Sequence, residues 1–292
     1  MLSVNSTKLA DVIAAARGAL SPKFGQREAT QLIYFALEQL KGWSGVQIAL
    51  NRDEPLSDYM ISKISDTVDR LLADEPIQYI FSAAHFYGMD LKVTPATLIP
   101  RPETAQLVDM IVADYEDASD LCVLDIGTGS GCIAVALARN LRFPKVTAID
   151  ISPEALAVAR ENAKNLRADV DFIQADMLDA GAMGRLGQFD VIVSNPPYIM
   201  LKEAQEMEPH VVDHEPSEAL FVPDADPLRF YSPIIRFASA HLVPGGRLYL
   251  EINPLTASKL LAEINAFGLT DAQVLKDFQG RDRFAVAKKS ND

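Results

Sequence analysis

From Thr104 to the C-terminus, short apolar runs alternate with stretches of helical periodicity. The runs are "LCVLDI", "KVTAID", "DVDFIQ", "FDVIVS", "GRLYLEI", "AQVLK" and "RFAVAKK". Their length and β-branched content predict buried strands. Between them, residues 131–140, 153–166, 227–241 and 255–267 space their apolar positions as helices do. Strands alternating with helices predict an open, mostly parallel, doubly wound α/β sheet.

The N-terminal quarter has a different pattern. "TKLADVIAAAR" predicts a helix with Ser6 as its N-cap and Gly18 beyond its end. "REATQLIYFALEQLKG" predicts a second helix stopped by Gly42, with Phe35 in the core beside Trp43. "SDYMISKISDTVDRLLADEP" predicts a third, ended by Pro76. Then "IQYIFSAAHFYGMDLKVTPATLIPRPE" alternates apolar and polar residues and carries Gly88, Pro95, Pro100 and Pro102. It reads as a short β-hairpin linker. The expected organisation is a helical bundle over 1–75, a hairpin linker over 76–100 and the sheet domain over 101–292.

Composition narrows the function classes. Apolar residues make up 49% of the 292, enough for a sizeable core, and no run approaches a membrane span. The N-terminus lacks the layout of a signal peptide, and two cysteines, Cys122 and Cys132, imply no disulfide framework. A reducing cytoplasm is therefore expected. The net charge of −13 argues against tight binding to a phosphate backbone and permits a basic protein partner. His210 and His214 have helical spacing, but a zinc site needs further ligands and none is evident, so no metal is expected.

"VLDIGTGSGCIAVALA" follows the first sheet strand and opens a helix. Gly127, Gly129 and Gly131, with Thr128 and Ser130 between them, permit a tight turn and a close approach of backbone to a ligand at a helix N-terminus. Asp150 ends the next strand, 23 positions after Gly127, where a carboxylate can accept both hydroxyls of a ribose. Such a nucleoside site leaves NAD open. The G-x-G-x-G spacing, in place of G-x-G-x-x-G/A, and Asp125 ahead of it favour S-adenosylmethionine. "QADML" adds Asp176, suited to an adenine amino group, followed by Met177.

The fourth strand runs into "VIVSNPPYIM", at the sheet edge where ligands bind in this architecture. Proline restricts the residue before it to extended backbone. Asn195 is therefore held by Pro196, and Pro196 by Pro197. That fixes two acceptors, the Asn195 side-chain oxygen and the Pro196 carbonyl, which together fit both hydrogens of a planar –NH₂ group. Tyr198 can lie flat over the same plane. Beside a methyl donor, such a clamp would point an amide nitrogen at the methyl group. Alignment of this kind supplies part of the ~7–11 kcal/mol available from ideal positioning, and aimed acceptors stabilise the positive charge the nitrogen gains. No strong base is needed, because a methylated, protonated amide is very acidic.

In "HFYGMDLKV", "LIPRPET", "VLDIGTGSGCIAVALA", "AIDISPEALAVARENA", "FDVIVSNPPYI", "EPSEAL", "LVPGGRLYLEI" and "DFQGRDRFAVA", the chain resembles the release factor glutamine N5-methyltransferase family. The resemblance runs from about Pro76 onward; the helical N-terminus fits by type. It implies a Rossmann-like methyltransferase sheet with one antiparallel strand near the C-terminus. It also implies methylation of the GGQ-loop glutamine of class I peptide chain release factors, with S-adenosylhomocysteine as product. Gly127–Gly131, Asp150, Met177 and Asn195 would hold the donor, and Asn195, Pro196, Pro197 and Tyr198 the glutamine. Arg101 and Thr104 would wall the pocket. The chain departs from the family pattern at Asn253 and Leu255 and over "FVPDADPLRFY".

Three other functions compete. A nucleic-acid amino methyltransferase could use the same clamp on adenine or cytosine, but it would need a basic reading surface. A ribosomal-protein glutamine methyltransferase typically reads differently at "RPET". A non-catalytic binding module would have no need of an intact glycine loop and clamp.

Overall fold

The computed structural model describes residues 6–291. The chain forms two compact units. One takes in the residues up to Ala83 together with Pro209–His214. The other takes in Ala84–Glu208 and everything from Glu215 onward. No helix among the described residues is long and apolar enough to cross a membrane.

The first unit holds α1 (Leu9–Lys41), α2 (Gly45–Leu50), α3 (Asp58–Leu72) and α4 (Ile77–Phe81) around Leu9, Leu20, Ile33, Leu37, Ile48 and Ile64. Gly18 does not end the first helix. The chain continues helically to a break at Gly25, whose φ of 76° and ψ of 164° are non-helical. An interior glycine costs only about 1 kcal/mol, and the turn beyond Gly18 buries Leu20 fully. Ser6 is not the cap either; its hydroxyl accepts the Lys8 N–H. The first helical N–H groups, of Leu9 and Ala10, reach the Glu54 and Arg52 carbonyls, so a backbone loop does the capping. Gly42 terminates α1 in the left-handed conformation, as the sequence suggests, and the Ser57 side chain caps α3 by accepting the Met60 N–H. Phe35 sets its edge against Phe81.

The expected hairpin is shorter than its alternating pattern. Residues 77–81 are helical, and only β1 (Ala83–Phe86) and β2 (Met89–Lys92) pair. Tyr87 and Gly88 both have positive φ, the two-residue turn that matches strand twist.

The second unit continues with α5 (Pro102–Asp114), β3 (Cys122–Ile126), α6 (Cys132–Asn140), β4 (Lys145–Asp150), α7 (Pro153–Leu166) and β5 (Val170–Gln174). Then come α8 (Ala180–Met183), β6 (Phe189–Ser194) and β7 (Ile199–Met200); α9 (Pro209–Val212) falls in the first unit. After it lie α10 (Ser217–Leu220), β8 (Phe221–Val222), α11 (Tyr231–His241), β9 (Leu242–Glu251), α12 (Ala257–Ala266), β10 (Leu269–Lys276) and β11 (Asp282–Lys289). Seven strands form one sheet in the order β10-β11-β9-β6-β3-β4-β5. Only β11 runs against its neighbours β9 and β10; the other pairings are parallel.

Period-two alternation splits each central strand between two cores. Val123, Val191, Val193 and Tyr249 meet α5 and α6 on one face. Leu124, Ile192, Leu248 and Leu250 meet α11 and α12 on the other. From β3 the chain winds outward through β4 and β5, and from β6 through β9 to β11 and β10. The β3–β6 pair is thus the switch point, where open α/β sheets bind ligands.

Candidate active site

Two loops leave that switch point. Ser194, at the end of β6, donates its hydroxyl to the Ile126 carbonyl at the end of β3, 2.7 Å away and buried. Beyond Ile126 the glycine loop begins. Gly127 and Thr128 donate N–H groups to the Ile149 carbonyl at 2.9 and 3.0 Å, which folds the loop over β4. Gly131 has a φ of 80°, and a Cβ there would stand 3.0 Å from the Ala159 Cβ. Glycine is what lets the start of α6 lie against α7.

Below the loop, Asp125 is fully buried. Its Oδ2 accepts the Thr128 hydroxyl at 2.7 Å and the Ala134 N–H at 3.2 Å. Burial pushes its carboxyl up to about 7 in spite of those bonds. Asp125 Oδ1 and Ser130 Oγ are buried without a hydrogen-bond partner among the described residues. Asn162 is fully engaged by contrast: its Nδ2 donates to the Lys92 and Ser130 carbonyls and its Oδ1 accepts the Lys92 N–H. One buried amide thus fixes the glycine loop to the end of β2.

Asp150 ends β4 facing this loop. One carboxylate oxygen accepts the Gly129 N–H at 2.8 Å and the other the Ser152 N–H at 2.9 Å. Burial raises its pKa against those bonds. Each oxygen keeps acceptor capacity for a further donor. Asp176 follows β5 and takes the Leu178 N–H at 2.8 Å. Met177 packs over the loop, its terminal carbon 3.5 Å from where a Gly127 side chain would begin. The sequence-predicted residues 127–131, 150, 176 and 177 therefore gather along one sheet edge.

The Asn-Pro-Pro-Tyr segment sits on a buried polar cluster. Asn195 Nδ2 donates to the Thr104 hydroxyl at 3.2 Å, and Thr104 donates to Glu251 Oε2 at 2.8 Å. Tyr198 donates its phenol to Glu251 Oε1 at 2.9 Å, while Arg283 Nη1 reaches the same phenol oxygen at 3.3 Å. Arg283 is in turn paired with Asp277. Pro196 is buried and Pro197 half-buried. Asn253 Nδ2 donates to the Tyr198 carbonyl at 3.1 Å and to Glu203 at 2.8 Å, and its Oδ1 accepts the Leu255 N–H. So Asn253, one of the departures from the family pattern, ties down the loop. Glu203, in the acidic segment after it, accepts that bond and the Met200 N–H at 2.8 Å. Burial raises the pKa of Glu251, opposed by the hydrogen bonds from Thr104 and Tyr198.

Of the two residues expected to wall the pocket, Thr104 joins Asn195 directly. Arg101 pairs instead with Glu215, whose buried carboxylate also accepts the Ile99 N–H at 3.1 Å. Sequence reasoning gave no part in the methyl-transfer site to Glu251, Arg283 or Glu215. A usable signal existed for the first: Glu251 is the lone acid in the apolar run "RLYLEI", and a buried charge needs partners.

Comparison with known proteins places the chain in a family. Residues 123–210 match a methyltransferase domain and residues 11–81 the PrmC N-terminal domain. A release factor glutamine methyltransferase of Bacteroides thetaiotaomicron is 43% identical over 95% of this chain and 99% of its own. One of Flavobacterium psychrophilum is 37% identical over 91% and 93%. Among solved structures, a methyltransferase from Pyrococcus furiosus superimposes with a TM-score of 0.52 at 21% identity, covering 77% of this chain and 99% of its own, which speaks to the fold. By its identity and coverage with such relatives, this chain belongs to the release factor glutamine methyltransferase family.

Proposed function

We propose that the protein transfers the methyl group of S-adenosylmethionine to the side-chain amide nitrogen of the GGQ-loop glutamine in class I peptide chain release factors. The observation that carries this reading is the hydrogen bond from Asn195 Nδ2 to Thr104. With the NH₂ end engaged inside the protein, the oxygen end is left to an incoming amide.

The residues present suit the donor. Gly127, Gly129 and Gly131 take positive φ, which favours glycine, and without a Cβ the loop offers bare backbone to a ligand. Asp150 has acceptor capacity for two ribose hydroxyls, and Asp176 stands at the next strand end for an adenine amino group. The orphaned Asp125 Oδ1 and Ser130 Oγ mark polar groups that a ligand or water can satisfy. When bound, S-adenosylmethionine supplies an electrophilic methyl on a positively charged sulfur, and S-adenosylhomocysteine is what remains.

The chain's own contribution is orientation and charge. Asn195 Oδ1 and the Pro196 carbonyl hold both hydrogens of the glutamine NH₂, which leaves the nitrogen facing the methyl. Tyr198, fixed by Glu251 and Arg283, covers the amide plane. As the nitrogen gains positive charge, the two acceptors stabilise it, and the surplus proton then passes to water. The helical N-terminal region, about residues 1–75, carries no cofactor motif, and docking of the release factor is its assigned task; residues 76–100 link it to the methyltransferase domain. An acidic chain suits a protein partner better than a nucleic acid.

Incubation with labelled donor and purified release factors, followed by peptide mass mapping, tests this reading. Label on the GGQ glutamine supports it. Label on another residue, or on DNA or RNA alone, overturns it.

A further inference from the structure

The clamp works only if Asn195 shows the substrate its oxygen and not its NH₂. The two ends of a carboxamide have nearly the same shape. The Pro-Pro backbone fixes where the side chain sits but not which end faces outward. We propose that Glu251 makes that choice, acting through the hydroxyl of Thr104 as a positioning residue. The inference rests on the methyl-transfer reading above.

The argument follows the hydrogens. A hydroxyl has one hydrogen to give, and a carboxylate only accepts. Thr104 gives its hydrogen to Glu251 Oε2 at 2.8 Å, so toward Asn195, 3.2 Å away, it can only accept. That selects Nδ2 for the inner side and Oδ1 for the outer. On the other carboxylate oxygen, Tyr198 gives its hydrogen to Oε1 while Arg283 donates to the phenol oxygen. Glu251, 1% exposed, thus sets the polarity of the amide and the tilt of the ring at once. It touches neither substrate nor reacting atoms.

Glu251→Gln reverses one arm of this relay. Arg283 still donates to Tyr198, so the phenol hydrogen still needs an acceptor, and the new amide oxygen serves it. The new NH₂ then faces Thr104, whose hydrogen turns to Asn195. Asn195 flips and aims a donor at the substrate's own NH₂.

The test is a double-mutant cycle read by single-turnover methyl transfer to a purified release factor. Glu251→Gln alone should slow transfer by about 10²-fold, the usual scale for losing an aimed polar group. Affinity for S-adenosylhomocysteine should move by less than about threefold. In an Asn195→Asp background both outward and inward ends are acceptors, so there is no wrong face to show. There the same Glu251→Gln change should cost less than about threefold, a coupling that contacting residues can show. An equal loss in both backgrounds, or a loss of donor affinity as large as the loss of rate, overturns the proposal. Where Glu251→Gln does not fold, Thr104→Ser and Thr104→Ala carry the test. Ser keeps the relay and should stay within about threefold of wild type, and Ala should lose about 10²-fold; equal rates overturn it. Asn195→Ala separates the two readings. A wild-type rate there removes the clamp itself. A large loss there with a wild-type rate in Glu251→Gln keeps the clamp and removes only the role of Glu251.

Discussion

The Ser194 hydroxyl lies 2.7 Å from the Ile126 carbonyl and donates to it inside the core. The two residues end adjacent parallel strands, and the next residue of each chain segment begins a functional loop. The β3–β6 ladder sets Ile126 opposite Ser194, and this side-chain bond ties the two strand ends together where the glycine loop and the Asn-Pro-Pro-Tyr segment begin. Ser194→Ala should destabilise the fold by about 1 kcal/mol, the net worth of such a bond. It should also lower the methyl-transfer rate more than donor affinity. Urea denaturation and single-turnover assays measure the two effects.

Asp150→Ala removes the acceptor of the Gly129 N–H together with the one assigned to the ribose hydroxyls. Hydrogen bonds to a charged group are worth about 1.5–3 kcal/mol, so donor affinity should fall by roughly 10- to 100-fold. Calorimetric titration with S-adenosylhomocysteine measures it. An unchanged affinity would remove Asp150 from the donor site.

Asp125 gives a pH signature. Its carboxyl is raised by burial from 3.8 to about 7 in the folded chain. Below the lower value both folded and unfolded chains hold the proton. Between the two only the folded chain does, so this group's contribution to stability is lost as pH rises toward about 7. At about 1.4 kcal/mol per unit, wild type should lose roughly 2–3 kcal/mol more than Asp125→Asn between about pH 5 and about pH 8. Parallel urea titrations of the two proteins would show the difference, and identical slopes would contradict it.

Much of the fold is legible in the sequence because apolar runs and helical periods are local signals. Each of the seven sheet strands overlaps one of the short runs such as "FDVIVS" and "RFAVAKK", although β9 and β10 begin at Leu242 and Leu269, ahead of theirs. What failed was decided by tertiary contacts. Gly18 is a stop signal until the burial of Leu20 outweighs its cost, and the Ser6 cap yields to carbonyls from Arg52 and Glu54. The same division runs through the site. Gly127–Gly131 and Asn195–Tyr198 are contiguous motifs and could be read directly. Glu251 and Arg283 reach Tyr198 from 53 and 85 positions away. Only the sheet order brings them there: the lone acid in "RLYLEI" marks Glu251 as a group that needs partners, but no local pattern names Tyr198 as one of them.

Removal of the chain through Ser82, just after α4, should leave donor binding in place and impair methylation of intact release factor. The first unit builds its own core from Leu9 to Ile77 and contributes no residue to the donor loops. Titration with S-adenosylhomocysteine confirms that the truncated protein is folded. Full activity of that protein on intact release factor would contradict the docking role.

The central claim is that the Asn195 oxygen aims the substrate nitrogen. Single-turnover methyl transfer to a purified release factor, with wild type, Asn195→Ala and Asn195→Asp side by side, tests it most directly. Ala leaves Pro196 and Pro197 to hold the loop but removes one acceptor, and the rate should fall by roughly 10²–10³. Asp keeps the shape and an acceptor but brings a negative charge beside the donor sulfur, so its rate should lie between Ala and wild type. That ranking, with donor affinity largely preserved in Ala, is the predicted result; a wild-type rate in Asn195→Ala would contradict the account.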